Sequence, residues 1–264
     1  MLLAASEGEG GFHAPSVADF FPPAILFEGT PFEFNRITLV RVIATVVLLT
    51  VFILAARRAQ LVPGRFQNAV EMILDFVRNA IAVEVLGEKD GRKYFPLLAT
   101  IFCTVLVMNI TGVVPFLNIA GSSVIGLPIV LAAWTYVMYL TAGIKAHGLG
   151  GYLKNSLLPP GVPKALYLLL APIEFLQIFV LRPATLIIRL LANMVAGHLM
   201  LGICFAATSF FLFNSEGAMR LFGAGTFIAG AGFFFFEIFV AALQAYVFAI
   251  LTAVYLNLSI EAEH

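Results

Sequence analysis

Charge is scarce in this chain. Only 11 % of its 264 residues are Asp, Glu, Lys or Arg, while 61 % are hydrophobic. A soluble domain carries about a quarter charged residues, so a water-soluble core of this size is excluded. The apolar stretches run for about 18 residues or more without alternating, which excludes a β-barrel and leaves membrane-crossing helices. Acidic and basic residues number 15 each, so no excess of positive charge points to nucleic acid. Cysteine is nearly absent: Cys103 and Cys204 both sit in apolar runs and read as small hydrophobes, not as a disulfide or metal pair. There is no GxxxxGK[ST] loop, no HExxH and no cysteine–histidine metal spacing. Neither cofactor, metal nor catalytic centre is expected. The opening "MLLAASEGEGGF" lacks a basic n-region and the arginine-rich look of a transit peptide, so the expected location is a bacterial plasma membrane. The fold class is all-α polytopic membrane protein.

What is present is a series of long apolar runs. Residues 1–36 form an extramembrane tail rich in acids (Glu7, Glu9, Asp19, Glu28, Glu33), and 37–264 form a single membrane domain. Spans are expected at about 37–56, 94–117, 125–144, 165–214 and 221–260. Arg41 lies near the outer end of the first and is expected to snorkel. Residues 64–86 carry Phe66, Val70, Ile73, Val77 and Ile81 on one helical face and Asn68, Glu71, Asp75 and Arg78 on the other. That pattern is an amphipathic helix, expected to lie along the membrane surface, with a helix of a small soluble lobe as the alternative. "GEKDGRK" (87–93) reads as a polar turn, and "PPGVP" (159–163) as a loop. The last two runs, parted by "NSEGAMR", are too long for an upright crossing of a hydrocarbon layer about 30 Å thick. Each crosses twice or lies strongly tilted. A tilted hairpin is favoured, because only Pro172 and Pro183 interrupt the first and no polar turn interrupts the second. Arg57, Arg58, Arg65, Arg92, Lys93, Lys145, Lys154 and Lys164 fall on one side, which makes it cytoplasmic. The N-terminus is then outside and the C-terminus inside.

Few strongly polar side chains lie within the spans: Asn109, Glu174, Gln177, Arg189, Asn193, His198, Glu237 and Gln244. Such groups mark ion pathways in membranes. Arg189 and Asn193, four apart, share a face that Thr185, Ala196 and Gly197 extend. Glu237 and Gln244, seven apart, share another beside a surface of alanines. A guanidinium stays protonated, so Arg189 acts only as a fixed charge, which attracts carboxylates and repels cations. Histidine and glutamate can exchange protons, which makes His198 and Glu237 candidate relay partners. The alternative for each is interhelical glue; that reading is weakest for Arg189 and near even for Asn109, Gln177 and Gln244.

"RLLANMVAGHLM" (189–200) followed by "FVAALQAYVFAILTAVYL" (239–256) resembles subunit a of the F-type ATP synthase membrane sector. "VPGRFQ", "FPLLATIFCTVLVMNITGVVPF", "PPGVP" and "EAEH" support the likeness, which covers residue 36 to the end. The resemblance implies a stator subunit with two proton half-channels, packed against a rotating ring of c subunits and held by peripheral-stalk b subunits. It implies that Arg189 is the essential charge facing the ring carboxylate. Asn193, Gln244 and Asn109, the last near the outer entrance, map onto family positions, and Glu174 maps onto an exit-side acid. Some members carry the carboxylate and imidazole of His198 and Glu237 exchanged, and some carry an acid where Gly112 stands. An ion-coupled secondary transporter is the main alternative. It usually shows internal repeats and broken helices, and no repeat is visible here. An intramembrane enzyme would need a nucleophile–base pair or metal ligands that are not convincingly spaced.

Overall fold

The computed structural model describes residues 24–26, 34–114, 119–157, 166–214 and 216–261. The "PPGVP" loop, the last three residues of "EAEH" and most of the acidic tail lie outside them. Five helical runs are long and apolar enough to cross a membrane: Arg36–Arg57, Arg65–Ile110, Gly126–Leu157, Tyr167–Asn214 and Gly217–Ile260. The chain is an all-α polytopic membrane protein.

Before the first run, a two-stranded antiparallel ladder pairs β1 (Ala24–Leu26) with β2 (Phe34–Asn35). Nothing in the sequence pattern points to this ladder. Asn35 then caps α1 (Arg36–Arg57): its Oδ1 accepts from the Thr38 N–H at 2.9 Å, worth about 1 kcal/mol. Only one stripe of α1, Ile37, Val40 and Ala44, is buried. Arg41 lies on that stripe and turns inward rather than snorkelling. Its Nε donates to Gly121 O at 2.6 Å and its Nη2 to Val124 O at 2.9 Å.

The amphipathic segment forms α2 (Arg65–Val77), a π segment (Arg78–Val83) and the first turn of α3 (Glu84–Ile110). Val70, Val77 and Ile81 of the expected face are buried, but Phe66 and Ile73 remain exposed. The expected polar turn at 87–93 is a correction. One residue makes the corner, Gly87 at φ 75°, ψ 175°, and the charged residues ride on the helix beyond it. Glu88 and Arg92 face each other there at 3.5 Å, one turn apart. The left-handed conformation is open to glycine and disfavoured for other residues by Cβ–carbonyl crowding. α4 (Gly126–Leu157) also extends past the expected end at 144, bending at Gly148, φ 71°.

The fourth run is α5 (Tyr167–Leu176), a π segment (Gln177–Leu181), α6 (Arg182–Ser209) and a second π segment (Phe210–Asn214); α7 (Arg220–Ile260) follows a short turn. Neither of the last two runs contains a re-entrant loop. At 1.5 Å per residue each is roughly 66–72 Å long, more than twice the hydrocarbon thickness. With no turn inside either run, each is one continuous helical passage longer than the hydrocarbon layer is thick. The core lies where α3, α4, α6 and α7 meet, around Leu98, Ile101, Tyr139, Leu186, Phe248 and Leu256.

A π turn holds one extra residue, so everything beyond Gln177–Leu181, Arg189 included, is rotated by about 100° from a straight α-helix. The buried Tyr139 hydroxyl donates to Ile178 O inside this segment at 2.7 Å. Tyr139→Phe removes that bond between helices and is expected to lower stability by about 1–3 kcal/mol. The measurement is the thermal midpoint of the detergent-solubilised protein; an unchanged midpoint refutes the bond's importance.

Candidate functional site

α6 and α7 run antiparallel, and small residues let them close. The hydroxyls of Thr208 and Thr226 lie 3.0 Å apart. A Cβ on Gly230 would meet Cys204 Cβ at 3.3 Å, and one on Gly197 would meet Glu237 Oε1 at 2.8 Å. The contacts step down one helix as they step up the other, in constant register. Carried two turns further, the same register sets Gln244 level with Leu190, beside Arg189.

Glu237 and His198 meet across this hairpin. His198 Nδ1 stands 3.2 Å from Glu237 Oε1 and 3.1 Å from Met194 O. A carbonyl only accepts, so Nδ1 carries a proton and the carboxylate shares it. The opposite edge of the ring lies over Gly112: a Cβ there would stand 2.5 Å from His198 Cε1 and 2.8 Å from Nε2. Gly112 thus makes room for the imidazole, as Gly197 does for the carboxylate. Neither role follows from the sequence alone. The visible signal is glycine beside a polar residue within an apolar run.

A cavity of about 180 Å³ opens here, lined by Asn109, Asn193, His198 and Glu237 together with Phe233 and Phe236. It has room for several waters. Asn109 Oδ1 accepts from Ser122 Oγ at 2.7 Å. Asn109 Nδ2, Ser123 Oγ, Glu237 Oε2 and Gln244 Nε2 are buried without a partner among the described residues. A dry, unpaired polar atom costs about 1–3 kcal/mol, so such a group calls for water or a shared proton. Among the described residues no cluster of three or more His, Cys, Asp or Glu could hold a metal.

Four of the seven expected site residues therefore share one cavity, and three do not. Arg189 is exposed, on a stripe with Thr185 and Ala196, and Asn193 joins that stripe to the cavity. Gln244 is buried on α7. Glu174 is half-buried on α5, away from the cavity. The run carrying Arg189 is also the one least covered by the rest of the chain. Only 11 % of its most apolar window is buried, against 44 % for the run containing α3.

A profile of the ATP synthase A chain family matches residues 38–257. The chain belongs to the ATP synthase A chain family. An ATP synthase subunit a from Rhodococcus erythropolis is 48 % identical over 261 residues, covering 99 % of this chain and 94 % of that protein. The subunit a of Pseudarthrobacter chlorophenolicus is 36 % identical, covering 99 % and 98 %. That of Streptomyces lividans is 34 % identical, covering 96 % and 90 %. The A chain profile spans every residue of the cavity and of the Arg189 stripe.

Proposed function

We propose that this chain is the stator subunit a of an F-type ATP synthase, a subunit without a catalytic centre of its own. It guides protons to and from a rotating ring of c subunits, so that flow across a bacterial plasma membrane drives ATP synthesis. The observation that carries the reading is the buried His198–Glu237 pair, seated against Gly112 and Gly197 beside an exposed arginine stripe. In this reading the N-terminus is outside and the C-terminus cytoplasmic, and peripheral-stalk b subunits hold the chain still.

The outer half-channel passes Asn109 and reaches the Nε2 edge of His198. A proton taken up there lets the one on Nδ1 pass to Glu237 Oε1, 3.2 Å away. The imidazole returns to its first state when the proton remaining on Nε2 exchanges to Nδ1. Glu237 then delivers to the level of Gln244 and Arg189, where a ring carboxylate accepts the proton. The fixed charge of Arg189 stabilises the ring carboxylate once it has lost its proton, and Asn193 solvates the pair. That pair must also part at each step, and a partly hydrated interface allows it. Glu174 lies on the exit path toward the cytoplasm. The exposed, apolar α5–α6 face is the surface the ring covers.

Inverted vesicles holding the whole complex test the relay by ATP-driven acidification. His198→Gln and Glu237→Gln are each expected to slow pumping roughly 10- to 100-fold, the scale of a lost proton-transfer group. The exchanged pair, His198→Glu with Glu237→His, keeps one imidazole and one carboxylate and is expected to pump faster than either single variant. Normal pumping by Glu237→Gln refutes the relay.

A further inference from the structure

Arg41 has no place in the path just described, yet its position is costly. Its Nη1 would stand 3.9 Å from a Cβ on Gly126, at the first residue of α4. A helix N-terminus is electropositive, so a guanidinium there is repelled. Two charge-assisted bonds, to Gly121 O and Val124 O, offset that repulsion. The segment they grip is built into the cavity. Ala120 lines it, and its Cβ lies 3.1 Å from the Cβ position of Gly112, the residue under the His198 ring. Gly121 N–H donates to Met108 O at 2.9 Å, and Thr111 Oγ1 lies 3.0 Å from the same nitrogen. Ser122 holds Asn109. Gly121 threads between Met108 and Arg41, for a Cβ there would meet Met108 Sδ at 2.5 Å and Arg41 Cγ at 3.5 Å.

The geometry points to Arg41 as a positioning residue for the outer half-channel. Its fork holds the 119–125 segment down, so that Ala120 walls the imidazole and Ser122 orients Asn109. The inference rests on reading the cavity as the proton inlet. The fork, and not the charge alone, is what matters. A lysine ammonium is a point donor on a shorter reach and does not reproduce the two-carbonyl grip.

The test uses the whole complex with Cys103 and Cys204 replaced by alanine and Ser123→Cys as reporter. Ser123 is buried in the gripped segment, and its Oγ bonds to no other described residue, so a thiol there breaks no bond within the chain. Right-side-out membranes are labelled with a membrane-impermeant maleimide, and inverted vesicles report ATP-driven acidification. Co-purification checks assembly. Relative to this parent, Arg41→Gln and Arg41→Lys are each expected to raise the labelling rate about tenfold and slow pumping about tenfold. That is the scale of one lost charge-assisted bond. If Arg41→Gln fails to assemble, Arg41→Lys alone carries the comparison. Unchanged labelling, full rescue by lysine, or faster labelling with normal pumping overturns the inference. Glu237→Gln in the same background separates the two readings. Normal pumping there refutes the inlet itself, whereas its loss beside unaffected Arg41 variants refutes only the role of Arg41.

Discussion

Arg189→Ala is expected to assemble at wild-type levels and to lose ATP-driven acidification by roughly 100- to 1,000-fold. At about 1.4 kcal/mol per tenfold, that range corresponds to about 3–4 kcal/mol, the scale of leaving one partner of a partly buried ion pair alone. The separation of the two effects follows from the structure. Arg189 is exposed, and no hydrogen bond or ion pair ties it to any described residue, so its removal leaves no orphaned group within the chain. Its neighbours Leu186 and Leu190 carry the packing of this turn. A structural arginine would behave in the opposite way, with assembly failing first. Co-purification with the ring, followed by dye-reported pumping, distinguishes the two. Normal pumping in an assembled mutant would reduce Arg189 to packing and remove the fixed charge from the mechanism.

Gly112→Ala is expected to cut pumping tenfold or more with assembly intact, through a methyl group that bears no charge. The new Cβ would stand 2.5 Å from His198 Cε1. The ring has no easy retreat, because its other edge is engaged by Met194 O and Glu237. Overpacking of this kind costs about 1–3 kcal/mol and is relieved here by displacing the imidazole. Gly197→Ala presses on the other partner, 2.8 Å from Glu237 Oε1, with the same expected result. A double-mutant cycle makes the cause specific. Once His198→Ala has emptied the seat, adding Gly112→Ala should change pumping little, since the two substitutions act on one contact. Full additivity, or wild-type pumping by Gly112→Ala, would show that the glycine does not seat the ring.

The sequence made the long helices legible because uncharged apolar length has few other uses. It made the amphipathic helix legible because Val70, Val77 and Ile81 repeat at helical spacing and are buried. It suggested a turn over 87–93 because five charged residues cluster there with two glycines. In the structure a single glycine turns the chain and the charges decorate a helix. The short β ladder left no signal, being too brief for a periodicity to register. For the site, rarity sufficed to pick out Asn109, Asn193, His198 and Glu237, which one cavity gathers. The seating of the pair was not legible. Gly112 and Gly197 matter through what a side chain would strike, and that depends on helices brought together across the fold. Arg41 was visible as a charge near a helix end; its partners are backbone carbonyls about eighty residues away, and any residue type could supply them.

Gly87 and Gly148 give a different kind of constraint from Gly112 and Gly197. Nothing lies within 4 Å of a Cβ built on either, so the volume for a methyl group is free. What bars an alanine is φ of 75° and 71°, a matter of handedness alone. A mirror-image alanine, introduced by semisynthesis, would suit both corners and would lessen the chain's freedom when unfolded. The ribosome offers no such residue. At these two corners glycine is the genetic code's substitute for a D-amino acid.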